Sequence, residues 1–249
     1  MTRSPDEQDA PPRILVIVPA FNEAGSVGGV VRELSGRLPE CDVVVVNDGS
    51  TDATVERVAS PARVISLPFN LGIGGAMQTG YRYARDRGYD VAVQVDADGQ
   101  HPPDQVRRLT EHLRTSGADL VIGSRFLEPG TYRQTFARRT GIRLLGALIR
   151  VLCGRRITDC TSGFRAVNRR TIHAFAHWYP DDYPEPQVVP LLHRAGCKVI
   201  EFPILMNERT TGRSSIGLLG GVFYVVKVTT SLLLDTMRSP WPQDKVDPT

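Results

Sequence analysis

The chain has 249 residues, of which 41% are hydrophobic and 23% are charged. A chain of this length and composition can bury an ordinary globular core, which excludes a fibrous repeat and a mostly disordered protein. Its 30 lysines and arginines against 27 acidic residues leave a net charge of only +3, which taken alone argues against a polyanion partner.

The basic residues are nevertheless concentrated in one segment of the sequence. Residues 125–170 contain 11 arginines and only two acidic residues, so this segment carries +9 and the rest of the chain −6. Only three of the 30 basic residues are lysines. The positive charge is therefore almost entirely guanidinium, the group whose planar fork matches phosphate oxygens best.

The cysteines and the two ends of the chain bear on the compartment. The four cysteines show neither C-x-x-C spacing nor paired histidines: Cys41, Cys153, Cys160 and Cys197. This pattern favours a reduced, cytoplasmic protein over a disulfide framework. Residues 1–12 lack the apolar run of a signal peptide, and we expect them and residues 239–249 to form tails.

Apolar runs alternate with helical spacing along most of the chain. The runs are rich in β-branched residues, as in strands buried on both faces of a parallel sheet. In chain order, strands are predicted at residues 13–19, 42–46, 62–67, 90–95, 119–123 and 199–203, and helices at 24–38, 72–87 and 102–116. This alternation predicts a doubly wound, mostly parallel α/β sheet that binds ligands beyond the carboxyl ends of its strands. Polar, glycine-bearing loops fall at those ends, at residues 20–25, 47–52, 70–75 and 96–100.

Two later segments have the composition of surface helices. Residues 138–156 alternate arginine clusters with leucine, isoleucine and valine, which is typical of a helix lying among anionic headgroups. The alternative is a solvated helix that packs its apolar face on the core. Residues 216–234 approach the roughly 20 residues that span a bilayer. Their glycines and Lys227 favour a helix that lies on the membrane or joins copies of the chain over one that spans it.

The sequence Asp96-Ala97-Asp98-Gly99-Gln100-His101 follows a buried strand directly. Two carboxylates at positions i and i+2 of such a turn can point at one hard divalent cation, Mg²⁺ or Mn²⁺. Aspartate and glycine are also common turn residues, so a plain loop is the alternative. We expect His101 to hold the ligands in place or to be structural, and not to be a ligand itself.

Three further loops end neighbouring strands. In Asn47-Asp48-Gly49-Ser50-Thr51-Asp52, a serine or threonine helix cap explains the hydroxyl residues but leaves Asp48 unexplained. A carboxylate there, or Glu23 at the end of the first strand, can accept hydrogen bonds from a base or a ribose. The segment at 70–76 lacks the G-x-G-x-x-G spacing of a dinucleotide site, which argues against a dehydrogenase.

Taken together, the loops resemble those of the family 2 glycosyltransferases with the GT-A fold, over nearly all of residues 13–215. The similarity is greatest to the polyprenyl-phosphate sugar synthases, the group that includes dolichol-phosphate mannose synthase. Seven motifs in register carry it: PAFNE (19–23), VNDGSTD (46–52), NLGIGGA (70–76), DADGQHPP (96–103), GSR (123–125), DCTSGFRA (159–166) and RTTGRSS (209–215).

The resemblance implies a role for particular residues on the donor side. The residues lining the nucleoside pocket would be Pro19, Phe21, Glu23, Val46 and Asp48. The diphosphate would be held through the metal by Asp96, Ala97 and Asp98, with Gln100 as a third metal ligand, and Arg125 and Arg209 would meet phosphates. One departure is Ser215, which stands where the family commonly has a phosphate-binding lysine, so that contact is lost or supplied by Arg213.

The implied reaction is inverting transfer of a sugar from a nucleotide sugar to a polyprenyl phosphate. Such an acceptor is already ionised and needs no strong base, and it would be held by Arg125, Arg138, Arg139 and Ser162. A hydroxyl acceptor would require a carboxylate base, for which Asp159 is the first candidate and Glu185 the second. A helix cap or an ion pair with Arg165 would equally explain Asp159. A catalytically silent nucleotide-sugar-binding subunit is the third alternative, against which the intact Asp96 and Asp98 pair argues.

The resemblance also implies how the chain is divided into parts and where the protein acts. Residues 13–123 would form the nucleotide and metal half of the GT-A domain, and 124–215 the acceptor half. Residues 216–238 would form a hydrophobic, membrane-interacting helix. The partners would be a nucleotide sugar, a polyprenyl phosphate and the inner surface of the cell membrane, with a homo-oligomer left open. Nucleic acid is not expected, because no nucleic-acid motif accompanies the arginines.

Overall fold

The structure, a computed structural model, describes residues 11–127, 136–207 and 226–234, with the backbone alone for 136–139. Seven strands form one sheet in the order β3-β2-β1-β4-β6-β5-β7. Their bounds are β1 Ile14–Ala20, β2 Cys41–Asn47, β3 Arg63–Ser66, β4 Val91–Gln94, β5 Leu120–Ser124, β6 Arg165–Asn168 and β7 Val199–Pro203. All neighbouring pairs are parallel except those of β6, which is antiparallel to β4 and β5. The mostly parallel α/β sheet predicted from the sequence is confirmed.

Helices cover both faces of the sheet. They are α1 Val27–Arg37, α2 Gly72–Asp86, α3 Pro103–Ser116, α4 Phe136–Cys153, α5 Arg169–His177 and α6 Pro184–Arg194, and residues 226–234 are also helical. The central strands are buried on both faces, so successive side chains enter opposite cores. Leu15 and Ile17 of β1 pack with α2, α4, α5 and α6, whereas Val16 and Val18 pack with α1 and α3.

The strand register brings the polar loops together. Ala20 pairs with Asn47, and Asn47 with Ser66, so β1, β2 and β3 end side by side. The first strands and helices follow the predicted alternation within a few residues. The prediction did not resolve β6, α5 and α6, which follow the basic helix.

Helix α4 packs one face on the core, as in the alternative interpretation of residues 138–156. Ile142, Leu145 and Ile149 are buried, whereas Leu144 is 58% exposed and Val151 is 82% exposed. The helix therefore has an apolar inner face and a second, smaller apolar strip on its outer surface.

The hydrophobic window at 216–234 is described only from residue 226. Val228 and Leu232 pack into the core, and Lys227 forms an ion pair of 2.8 Å with Asp182. Among residues 11–127, 136–207 and 226–234, no helix combines the length and apolar character needed to cross a membrane.

Candidate active site

The candidate metal loop consists of residues 96–101 and follows β4. Asp98 is 9% exposed, and its Oδ1 accepts a hydrogen bond of 3.1 Å from the Gln100 amide. Asp96 is half-buried. A Cβ added to Gly163 would lie 3.0 and 3.2 Å from the two carboxylate oxygens of Asp96, so this carboxylate packs closely against Gly163 and a larger residue there would displace it slightly. The described residues contain no cluster of three or more histidine, cysteine, aspartate or glutamate side chains able to hold a metal. The oxygen donors of Asp96, Asp98 and Gln100 nevertheless match the preference of Mg²⁺ and Mn²⁺.

His101 packs under the metal loop, between Phe164 and the backbone of Asp96. Its ring stacks on Phe164 with centroids 4.7 Å apart, and its Nδ1 accepts a bond of 3.4 Å from the Asp96 amide. Burial lowers the pKa of His101, the charge of Arg125 adds to that effect, and Asp96 and Asp98 oppose it. A buried, stacked histidine that accepts a backbone hydrogen bond is structural, as the sequence predicted.

Arg125 and Asp159 form a buried, bidentate ion pair. Arg125 donates from Nε to Asp159 Oδ2 and from Nη2 to Oδ1, both at 2.7 Å, and its backbone amide also donates to Oδ2 at 3.1 Å. Asp159 is fully buried and Arg125 is 9% exposed. Such parallel, charge-assisted bonds fix the plane of the guanidinium.

The partner of Asp159 is therefore Arg125, where the sequence suggested Arg165. Arg165 is 1% exposed and donates instead to the carbonyl oxygens of Ser162 and Cys160, at 2.7 and 2.9 Å. Ser162 itself is 3% exposed. Arg165 thereby holds the loop that carries Gly163 against Asp96.

Asp48 and Glu23 both make contacts within the protein. Asp48 is 4% exposed, and its Oδ1 accepts a bond of 2.7 Å from the Leu71 amide. Glu23 accepts a bond of 2.6 Å from the Ser26 hydroxyl. Each carboxylate thus has a structural partner in addition to its predicted role toward a nucleoside.

The other predicted nucleoside residues differ in exposure. Phe21 is 46% exposed beside the loop, and Pro19 is half-buried. Val46 and Ala97 point their side chains into the two cores, so those side chains do not face the loop surface.

Asn22 is a site residue that the sequence prediction missed. It has a φ of +56°, the left-handed region that asparagine tolerates better than most residues. Its amide donates to the Ser50 hydroxyl, and its Oδ1 accepts from the Thr51 amide, both at 2.9 Å. Asn22 therefore joins the loops that follow β1 and β2. The sequence did contain a sign of this role, because asparagine is favoured in turns and Asn22 lies two residues after the end of β1.

The glycines at 70–76 serve packing. The Gly74 amide donates to the Asp181 carbonyl at 3.1 Å, and a Cβ on Gly74 would lie 2.2 Å from the Pro180 carbonyl oxygen. This glycine lets the start of α2 meet the loop before α6, which supports the rejection of a dinucleotide site.

Glu185, the second candidate base, lies in the first turn of α6 and is half-buried. Burial raises its pKa, and the negative charge of Asp96 adds to that effect, whereas the positive charge of Arg165 opposes it. The negative charge of Asp96, at the start of the candidate metal loop, thus acts on Glu185.

Several predicted residues lie outside the description. The side chains of Arg138 and Arg139 fall in the part of α4 known only as backbone, and Arg209, Arg213 and Ser215 fall outside the described ranges. Asn207, two residues before Arg209, donates a hydrogen bond of 2.9 Å from its backbone amide to the Gln100 carbonyl, so the chain reaches the metal loop at that point.

The fold and these loops define a GT-A-like α/β protein. Among solved structures, it is similar to glucosyl-3-phosphoglycerate synthase from Mycobacterium tuberculosis in complex with Mn²⁺, uridine diphosphate and phosphoglyceric acid. The TM-score is 0.68 at 23% identity, covering 90% of this chain and 78% of that one. A likeness at this identity shows the fold.

A family model described as glycosyl transferase family 2 matches residues 15–175, and the chain belongs to this family. It is 36% identical to undecaprenyl-phosphate mannosyltransferase of Micrococcus luteus over 229 residues, which is 87% of this chain and 93% of that protein. It is 34% identical to polyprenol monophosphomannose synthase of Mycolicibacterium smegmatis over 215 residues, 82% of this chain and 81% of that protein. The resemblance inferred from the seven motifs is confirmed.

Proposed function

We propose that this protein transfers a sugar, with inversion, from a nucleotide sugar to a polyprenyl phosphate at the inner surface of the cell membrane. The observation that carries the acceptor class is the similarity to the Micrococcus luteus mannosyltransferase, which extends over nearly the whole of both chains. Relatives with such coverage share the acceptor half of the fold as well as the donor half.

On the donor side, Asp96, Asp98 and Gln100 would hold Mg²⁺ or Mn²⁺. When bound, such an ion neutralises the charge that develops on a nucleoside diphosphate leaving group. The residues of this chain prepare the site for it. The Gln100 amide orients the Asp98 carboxylate, and the absent side chain of Gly163 leaves room for that of Asp96.

The Asp159 contacts favour a phosphate acceptor over a hydroxyl. A general base needs a free carboxylate oxygen, whereas both oxygens of Asp159 bind the Arg125 guanidinium. A phosphate acceptor is already ionised and requires orientation by positive charge, which a fixed guanidinium provides. Glu185 is the remaining base candidate, and its pKa, which burial raises, supports the hydroxyl acceptor as the second candidate function.

A transfer assay separates these possibilities. The purified full-length chain is incubated with each of a panel of nucleotide sugars and Mn²⁺, with polyprenyl phosphate or with polyprenol as the acceptor. We expect product with the phosphate alone, and a loss of at least about 100-fold in Asp98→Asn. The matched control is Asp104→Asn, which alters an exposed carboxylate that pairs with Arg37. Product with polyprenol alone would overturn the phosphate acceptor, and full activity of Asp98→Asn would overturn the metal assignment.

The outer surface of α4 supports a membrane location. Exposed Leu144 and Val151 lie on this helix with exposed Arg143 and Arg150. An apolar strip flanked by arginines suits the boundary between acyl chains and anionic headgroups.

Vesicle flotation tests the membrane location directly. We expect the wild type to float with vesicles containing anionic phosphatidylglycerol and to bind purely zwitterionic ones less, and Val151→Asp to reduce flotation. Val64→Asp, in the edge strand β3 across the sheet from β7, is the matched control because Val64 is also exposed. Equal flotation of wild type and Val151→Asp would exclude this face of α4.

A further inference from the structure

The loop that carries Asp159 is held by a second carboxylate, which belongs to Glu201. Glu201 lies in β7, half-buried and opposite Ile122 of β5. Its Oε2 accepts from the Thr158 amide, and its Oε1 accepts from the Thr158 hydroxyl and from the Asp159 amide, each at 2.8 Å. Three short bonds from two consecutive residues fix the backbone at the point where Asp159 leaves it.

The same chain of contacts continues to Arg125 from both sides. The Thr158 hydroxyl also lies 2.8 Å from the hydroxyl of Ser124, the residue before Arg125. Asp159, whose amide Glu201 holds, binds the Arg125 guanidinium with both carboxylate oxygens. Glu201 thus lies at the base of a hydrogen-bonded path that ends on the guanidinium, although it does not touch Arg125.

Stability alone is a weak explanation for this arrangement. A buried ion pair contributes little net stability compared with apolar side chains of the same volume, because both charges lose their hydration. What the pair and its support do provide is a fixed position for the guanidinium, since each atom along the path is held by charge-assisted or backbone bonds. That position is near the metal loop, because the Asp159 carbonyl accepts a bond of 3.3 Å from the Ser162 amide, and Gly163, the next residue, lies against the Asp96 carboxylate.

We propose that Glu201 is a positioning residue that acts through Asp159 to aim Arg125 at the acceptor phosphate. This role rests on the proposed function, because it takes a phosphate as the group that Arg125 meets. Partners that orient a metal ligand typically contribute about 10-fold to 100-fold when removed, and we expect a similar effect for a partner that orients Arg125. Small misplacements of a positioned group are costly in rate.

The test compares Glu201→Gln with a matched variant at the other end of the same strand pair. In Glu201→Gln, an amide NH₂ faces the Thr158 amide donor, so the loop must shift. Asp119→Asn is the control, since Asp119 is buried and, like Glu201, accepts a hydrogen bond from a backbone amide across this strand pair, at 2.7 Å from Lys198. We expect kcat/KM for polyprenyl phosphate to fall at least about 10-fold in Glu201→Gln, with a raised KM for the acceptor and a KM for the nucleotide sugar within about twofold.

A pair of variants at Thr158 keeps the test decisive if Glu201→Gln does not fold. Thr158→Ser retains the hydroxyl that bridges Ser124 and Glu201, and we expect it to keep wild-type kinetics. Thr158→Val removes that hydroxyl and should raise the acceptor KM.

In a double-mutant cycle, Glu201→Gln should add little to the kinetic loss of Asp159→Asn, because both act on the same guanidinium.

Arginine Nε–H spectra by NMR report the positioning without any assay of transfer. Slow exchange of the Arg125 Nε–H, assigned from its absence in Arg125→Lys, should be present in the wild type and lost in Glu201→Gln. If the wild type transfers no sugar to polyprenyl phosphate, the proposed function fails, whereas the NMR comparison still decides the positioning role. Unchanged exchange in Glu201→Gln, an unchanged acceptor KM, or an equal kinetic loss in Asp119→Asn would each overturn the inference.

Discussion

Gly163→Ala tests the metal loop with one added methyl group. The backbone of Gly163 lies outside the left-handed region, so alanine can adopt it and only space is at issue. Its Cβ would lie 3.0 Å from Asp96 Oδ1, 3.0 Å from Gln94 Nε2 and 3.2 Å from Asp96 Oδ2. Since ordinary van der Waals contact is 3.4–4 Å, the Asp96 carboxylate must retreat by a few tenths of an ångström.

The displacement should affect metal binding far more than stability. Overpacking costs about 1–3 kcal/mol where nothing moves, but a side chain that can shift relieves part of this, and the stiffer unfolded chain returns about 0.4–1 kcal/mol. The free energy of unfolding should therefore change by less than about 2 kcal/mol. Metal sites tolerate only about 0.2 Å in ligand position, so we expect Mn²⁺ affinity and transfer rate to fall about 10-fold to 100-fold.

Calorimetric titration of Mn²⁺ in the presence of the nucleoside diphosphate, together with thermal unfolding and the transfer assay, measures both effects. Gly36→Ala, in α1, is the control, because nothing lies within 4 Å of its added Cβ. It should bind Mn²⁺ normally and gain about 0.4–1 kcal/mol of stability, because alanine leaves the unfolded chain less freedom than glycine does. Unchanged Mn²⁺ affinity and activity in a folded Gly163→Ala would refute the assignment of Asp96 as a metal ligand.

Three further outcomes follow from the described contacts. Asp159→Ala leaves the Arg125 charge buried without its carboxylate and should lower the free energy of urea unfolding by about 3–5 kcal/mol; a loss under about 1 kcal/mol would show that water reaches the pair. Gly74→Ala places a Cβ 2.2 Å from the Pro180 carbonyl oxygen and 2.3 Å from that of Asp181, so backbone must move and the thermal midpoint should fall well below that of Gly36→Ala. Burial raises the thiol pKa of Cys41 to about 12, of Cys153 to about 11 and of Cys160 to about 12. Ellman's reagent should therefore react slowly with the native protein and release four thiolate equivalents after unfolding, and fewer equivalents would contradict the reduced state.

The parallel part of the sheet was predictable because local pattern and fold agree there. Continuous β-branched runs such as Val43–Val46 are buried on both faces, which is the situation that produces an unbroken apolar run. The loops after β1, β2 and β4 were predictable for the same reason. Once strands are parallel, their carboxyl ends meet at one edge of the sheet, and polar residues there become candidates together.

The antiparallel strand and the helices after it could not be predicted in the same way. Strand β6 has only four residues and includes Arg165, whose charge interrupts an apolar pattern. Helix α6 contains Pro184, Pro186 and Pro190, and proline in a helix interior is usually a sign of a break. In the fold, two of these prolines fall in the first turn, where the missing N–H costs nothing, and all three are buried. Tertiary packing outweighs local preference at both places.

Contacts between residues far apart in the sequence could not be predicted either. The sequence singled out Asp159 and Arg125 separately. Its alternatives to a catalytic role for Asp159 were a helix cap and an ion pair with the nearer Arg165, because spacing along the chain was the only guide. Glu201 carried no signal at all, since a single glutamate in an apolar strand resembles a solvent-facing residue. It becomes meaningful only because β7 pairs with β5, which places it 2.8 Å from the amide of Asp159.

The arginine segment separates into two groups with different physical roles. Four of its described arginines bind groups of the protein: the buried Arg125 and Arg165 bind Asp159 and two backbone carbonyls, the half-buried Arg170 binds Asp119, and the exposed Arg169 lies 3.7 Å from Asp90. Four others are exposed on α4 or directly after it: Arg143, Arg150, Arg155 and Arg156. The charge of the first group is balanced by carboxylates and carbonyl dipoles, so it adds little to the long-range attraction of the segment for an anionic surface. Because attraction to anionic lipid scales with the charges near the surface, at about 1 kcal/mol each, the exposed group is the part of the +9 that would contribute to the proposed membrane contact, whereas Arg125 is the residue proposed to meet the acceptor phosphate.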